Sequence, residues 1–249
     1  MSRYGRVRAE ADAEWRSFVR RRTAVFFTFL FPTILVLIFG ALVRTDPTGG
    51  GLFAEEPSYY VAGYLAVVVL FTPMSRVAST VARHRDGNRF EKLATTPLSR
   101  MEWLAAHAVV NVVLVTLACA LVLILVLGLT GAQIVYSPLV LPFLAAGVLV
   151  FCGVGALLGR LSDSRDGAVA ASNTIGLPLV FLSETFVPRE LLPGWFAPLI
   201  DLSPLTYFSR GVREVTLGTG SGLVELATLT ALGLVAFGIA AWALPLTEN

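Results

Sequence analysis

Apolar residues fill this chain in long blocks, unlike the short alternations of a strand or the mixed faces of a soluble helix. Residues 103–159 contain no Asp, Glu, Lys or Arg. A bilayer core of roughly 30 Å takes about 20 apolar residues per helix, so this block holds two transmembrane helices in succession. Its breaks are turn formers, Gly128–Gly131 and Ser137-Pro138. The pattern predicts span 1 at Thr23–Val43, span 2 at Ser58–Ser75 with a continuation toward Ala82, and span 3 at His107–Leu129. Span 4 is expected at Leu139–Arg160, span 5 at Ala168–Val187 and span 6 at Leu223–Leu244. The fold expected is an all-α integral membrane protein of six transmembrane helices, one transmembrane domain over residues 1–249.

Charge placement then sets orientation. Arg3, Arg6, Arg8, Arg16, Arg20, Arg21 and Arg22 precede span 1. Arg76, Arg83, Arg85, Arg89, Lys92 and Arg100 separate spans 2 and 3, and Arg160 and Arg165 separate spans 4 and 5. The opposite loops hold only Arg44, Arg189, Arg210 and Arg213. The positive-inside rule therefore places both termini in the cytoplasm, in a multi-pass protein of the plasma membrane. Composition agrees: 14% of residues are charged, against roughly 25% in soluble domains. The apolar stretch after Arg20-Arg21-Arg22 exceeds the roughly 7–15 residues of a secretory signal, so a retained first span is expected. Cys119 and Cys152 sit inside apolar runs with no CxxC, the pattern of buried thiols rather than of a metal or disulfide pair.

Three segments do not span. Residues 1–22 predict an amphipathic interfacial helix, with Val7, Ala11, Trp15, Phe18 and Val19 as its apolar stripe and arginines around the rest. Residues 83–100 form a loop with a short helix from Asn88 to Ala94, carrying Phe90 and Leu93 on one face. Pro97 stops that helix, and Ser99 with Glu102 forms a capping box that starts the next. Residues 188–221 contain the proline-broken apolar piece Leu191–Ile200, too short to cross and suited to a re-entrant helix. A second short helix follows, with Ser203 as N-cap, Pro204 at its first position, and an Arg210–Glu214 pair at i,i+4.

Asp86-Gly87, Phe90-Glu91-Lys92-Leu93 and Thr96-Pro-Leu-Ser-Arg100 form one motif block. Pro178–Ser183, Phe186-Val-Pro188, Leu192-Pro-Gly-Trp195, Ser203-Pro-Leu-Thr-Tyr207 and Arg213 form another. In this order, among six spans, they resemble the ABC-2 family of membrane subunits of ATP-binding-cassette exporters over nearly the whole chain. The resemblance implies that Asp86, Gly87, Arg89, Phe90, Glu91, Lys92 and Leu93 form a coupling helix seated in a cleft of the ATPase subunit. Phe90 and Leu93 would be its apolar plug, with Arg89, Glu91 and Lys92 making polar contacts. The N-terminal helix resembles the in-plane connecting helix, which also touches the ATPase. The outer pair resembles re-entrant helices between spans 5 and 6 that close the pathway, with Glu184, Trp195, Tyr207 and Arg213 at that gate. One departure stands out: Leu182-Ser183-Glu184 replaces the usual Leu-Ser-Gly. A carboxylate there either lines the route or pairs with an Arg such as Arg189 or Arg210; the alternative is that it snorkels to the headgroups.

The chain has no GxxxxGK[ST] loop, so ATP is expected on a separate ATPase subunit and no cofactor on this chain. The partners implied are that ATPase, a second permease copy or paralogue, and the lipid bilayer; nucleic acid is not among them. An intramembrane enzyme would need a nucleophile with its base, yet the histidines are only His84 and His107 and no GxSxG occurs. Asp163 and Asp166 fit helix stops better than a catalytic cluster. A non-conducting membrane anchor is a further alternative. Ser172, Asn173, Thr174 and Ser183 along span 5 favour a lined pathway over it, although small polar residues also join helices. The substrate class expected is hydrophobic, lipid-like or drug-like.

Overall fold

Caps and charges set the helix boundaries. In the computed structural model, which describes residues 2–38, 55–187, 189 and 194–244, α1 (Arg3–Arg20) and α2 (Arg22–Val36) meet at an elbow on Arg21. There follow α3 (Pro57–Asp86), α4 (Arg89–Ala94), α5 (Arg100–Thr130), α6 (Val140–Leu161) and α7 (Arg165–Phe181). A 3-10 turn at Gly194–Phe196 leads into α8 (Ala197–Leu202), then α9 (Pro204–Leu217) and α10 (Leu223–Ala243). The capping box expected at the start of α5 is present: Ser99 accepts from the Glu102 N–H, and Glu102 accepts from the Ser99 N–H. Ser2 and Ser164 cap α1 and α7 through the N–H groups of Gly5 and Gly167. Ser203 stands at the N-cap position of α9, but its hydroxyl makes no capping bond.

Among the described residues, α3, α5, α6 and α10 are long and apolar enough to cross a membrane. These carry expected spans 2, 3, 4 and 6. The helix α2 is a shorter apolar segment at the edge of the described residues, and the end of expected span 1, with Arg44, lies outside them. Expected span 5 is cut short: α7 ends at Phe181 rather than Val187, and residues 182–186 turn back. The piece Leu191–Ile200 is described only from Gly194 onward.

α3 is the hub. Its residues Tyr60–Leu70 are buried without interruption, because α5, α6, α7 and α9 all pack on it. Small residues allow the closest approach: a methyl group added at Gly155 or Gly159 of α6 would collide with the backbone of Met74 or Ala78. α10 packs along α6. Cys119 and Cys152 are free thiols buried in this core.

The stripe expected on α1 divides in two. Phe18 is buried against Val110 and Leu114 of α5, with Ala11 packed beside it. Trp15 and Val19 face outward, together with Tyr4. The docking face is partly ionic instead, built from Arg6, Glu10 and Glu14 at four-residue spacing. Helical periodicity brings these to one side with Phe18.

Candidate functional site

Two clusters, at opposite ends of the bundle, hold the residues that the sequence singles out. At the first, Asn88 adopts φ 48°, left-handed for a residue with a side chain, and folds α4 back on the end of α3. Phe90 is only 6% exposed. Its ring packs edge-on against His84 of α3 at 5.5 Å and Trp103 of α5 at 5.4 Å between centroids. The expected outward plug is therefore corrected: Phe90 anchors α4 to its own chain, and Leu93 is half-buried on the same core. Burying a Phe side chain contributes roughly 1.5–3 kcal/mol, which a helix of six residues forgoes if the ring faces water. The exposed face of α4 is charged, with Arg89, Glu91 and Lys92 outward and Asp86 and Gly87 exposed just before it.

Both ends of this loop are bolted to other helices. Arg85 donates to the carbonyls of Arg160 and Ser162 at the end of α6. Arg100 donates to the Trp242 carbonyl in the last turn of α10 at 3.0 Å. Each satisfies carbonyls that a helix end leaves without intrahelical partners. Glu102, besides closing its capping box, receives Arg6 of α1 through two guanidinium contacts, the Nε one at 3.0 Å.

Further along α1, Glu14 accepts from Arg76 of α3 at 3.1 Å, and Arg76 also donates to Asn111 of α5 and lies over the Phe18 ring. Glu10 and Glu14 flank the buried His107 at 3.8 and 3.9 Å. Burial, then the neighbouring Glu14, pushes the Glu10 carboxyl above its ordinary range. α4 thus packs on α3 and α5, and Arg85, Arg100 and Glu102 of those two helices bond α6, α10 and α1 in turn.

The second cluster surrounds Glu184, in the turn after α7. Its carboxylate is buried and receives Arg210 of α9 through two guanidinium contacts, the Nε one at 2.7 Å. Arg210 also donates to Asp201 of α8 at 3.0 Å, and Arg189 donates to both Asp201 oxygens at 3.1 and 3.2 Å. Hydrogen bonding from Arg189, with Arg210 adding to it, holds the Asp201 carboxyl below its usual range. The bond to Glu184 raises the Arg210 guanidinium above its own. Of the readings given for Glu184, the structure shows the pairing with Arg210. The expected Arg210–Glu214 pair does not form: Arg210 goes to the two carboxylates, and Glu214 accepts from the Gly222 N–H at the start of α10.

Arg213 stacks on the Tyr59 ring of α3 at 3.8 Å and donates to the Glu184 carbonyl at 2.7 Å. Tyr207 donates its hydroxyl to the Asp201 carbonyl at 2.7 Å. Trp195 is exposed in the 3-10 turn, stacked edge-on with Phe196 and apart from this network. α9 therefore fastens the turn after α7 to α3, α8 and α10. The Glu184 oxygens are occupied by guanidinium donors, so the cluster ties the turn after α7 to α8 and α9. Tyr59 went unnoticed in the sequence because its partner Arg213 lies 154 residues away. Arg6 with Glu102, 96 residues apart, was equally invisible.

A buried helical hub, a short helix bolted to the helices around it and an ion-paired cluster at the far end describe a helical bundle with membrane-spanning helices among its described residues. The model of the ABC-2 type transporter family matches residues 6–217, and the chain belongs to that family. It is 28% identical over 222 residues to the daunorubicin resistance ABC transporter permease protein DrrB1 of Streptomyces coeruleorubidus, covering 83% of this chain and 74% of that one. The probable doxorubicin resistance ABC transporter permease protein DrrC of Mycobacterium tuberculosis is 22% identical, with 82% and 72% covered. The inner membrane transport permease YhhJ of Escherichia coli is 28% identical over 74% of this chain and 51% of its own length.

Proposed function

We propose that this chain is the six-span permease subunit of an ATP-binding-cassette exporter, driven by a separate ATPase that docks on α4. The observation that carries the reading is α4 itself. A loop that only needed water would not fold into a helix pinned by Phe90, present three charges outward and tie its ends to α6 and α10. In the proposed mechanism, ATPase closure pushes α4, the bolted helices tilt together, and the Glu184–Arg210 latch at the outer end yields to let substrate leave. α2 and α7 supply the first and fifth spans, both termini are cytoplasmic, and residues 1–249 act as one transmembrane domain in the plasma membrane. The substrate is hydrophobic, lipid-like or drug-like, in keeping with the resistance named for DrrB1 and DrrC.

The pathway lies between two such subunits, an identical copy or a paralogue. Asn173 and Thr174 support this: they are exposed in mid-α7, on a helix that packs chiefly on α3 and α6 among the described elements. Polar side chains at that depth call for a protein or aqueous neighbour. A benzophenone amino acid at position 173, illuminated in membranes, should cross-link to a second permease-sized subunit. Cross-linking to lipid alone would refute the pairing.

A further inference from the structure

A crease runs along the inner side of the α1–α2 elbow, with a volume of roughly 450 Å³. Its walls are Val19 of α1, Phe26 and Phe29 of α2, and Leu114 and Leu117 of α5, with Trp15 at the mouth and Arg22 at the rim. We propose that this crease binds one anionic phospholipid of the cytoplasmic leaflet, an acyl chain between α2 and α5 and the phosphate among the elbow arginines.

Position, shape and charge each support that occupant. The crease begins where an in-plane helix turns into an apolar one, which is the level of the headgroups. It continues downward between two apolar helices, so its lower part meets acyl chains and not water. Trp15 and Val19, both outward-facing, stand at the depth where amphipathic rings favour the interface. The opposite face of α2 is used otherwise, since Phe31 packs on Phe71 of α3. The crease therefore opens away from α3 and the α7 side assigned to the second subunit.

Charge selects the headgroup. Arg16, Arg20, Arg21 and Arg22 are all exposed around the elbow, and no acidic residue occurs from Trp15 to Ile38. The nearest carboxylates on the docking face, Glu10 and Glu14, are turned toward His107 and Arg76. Arg21 spends one guanidinium bond on Ser17 of α1, its side chain lying across the elbow. A zwitterionic lipid would gain the apolar contacts without the net attraction, so binding should discriminate by charge.

The test is native mass spectrometry of the detergent-purified transporter, incubated with equimolar palmitoyl-oleoyl phosphatidylglycerol and phosphatidylcholine. Retained lipid should be mainly phosphatidylglycerol. Arg20→Gln with Arg22→Gln should weaken phosphatidylglycerol retention about fivefold per arginine and leave phosphatidylcholine unchanged. Leu117→Trp, which fills the crease from an outward-facing position on α5, should reduce retention of both. Equal retention of the two lipids by the wild type overturns the headgroup assignment. Unchanged retention in Leu117→Trp overturns the crease as the site.

Discussion

Glu184→Gln should cost the purified protein about 2 kcal/mol and loosen α9 from the turn after α7. Removing one partner of a fully buried ion pair costs about 3–5 kcal/mol, because the remaining charge is left without its counter-ion. Here the Arg210 side chain is 26% exposed and retains Asp201, which lowers the expected loss. At roughly 2–4 °C per kcal/mol for a chain of this size, the melting temperature should fall by about 4–8 °C. Arg210→Gln should do similar damage, and the double variant should cost less than the two losses added, since each removes the same interaction. Transport should suffer beyond the stability loss if the latch is the element that yields. Melting temperatures within a degree of wild type in both single variants would show that the pair holds nothing.

The second large effect is expected at Phe90. Phe90→Ala removes a ring packed on His84 and Trp103, and large-to-small changes of this kind cost about 3–5 kcal/mol in a well-packed core. The loss should be local. α4 should detach, so that protease cleavage within residues 83–100 accelerates while the rest of the bundle stays resistant. Lys92→Ala, on the exposed side of the same helix, should change stability by less than about 0.5 kcal/mol. If Phe90→Ala leaves cleavage unchanged, α4 is held by its end contacts alone.

The contrast between these two positions shows what a sequence can disclose. Apolar length is a one-dimensional signal, so the helices at spans 2, 3, 4 and 6 were readable. The capping box at Ser99 and the stop near Pro97 were readable too, because their partners lie within a few residues. The direction of Phe90 was not. Spacing places an apolar face on a short helix, but whether Trp103 or another chain covers it depends on how α3 and α5 approach. The same limit explains α1: Arg6, Glu10 and Glu14 look like surface charges until Glu102, His107 and Arg76 are brought opposite them.

At the latch, the familiar i,i+4 pairing of Arg210 with Glu214 lost to Glu184, a buried carboxylate 26 residues earlier in the chain. Glu184 was legible as an anomaly, and its partner was one of two arginines the sequence offered. The end of span 5 was misjudged because apolar character continues past Phe181, whereas the backbone is turned there. In that turn the Ser183 and Thr185 hydroxyls bond each other, and Arg213 holds the Glu184 carbonyl.

The central claim, an ATPase seated on the charged face of α4, is tested most directly by cross-linking from position 92. Lys92 is exposed, and the native Cys119 and Cys152 are buried, so Lys92→Cys supplies the one accessible thiol. Native membranes carrying this variant are treated with a maleimide–benzophenone cross-linker, whose photoactivated ketone inserts into any neighbouring C–H bond, illuminated, and labelled with a photoreactive ATP analogue. The account predicts a covalent product that contains this chain together with a nucleotide-labelled ATPase subunit, absent when the thiol is moved to Ser137 at the opposite end. A product without nucleotide label, or equal yields from both positions, would contradict it.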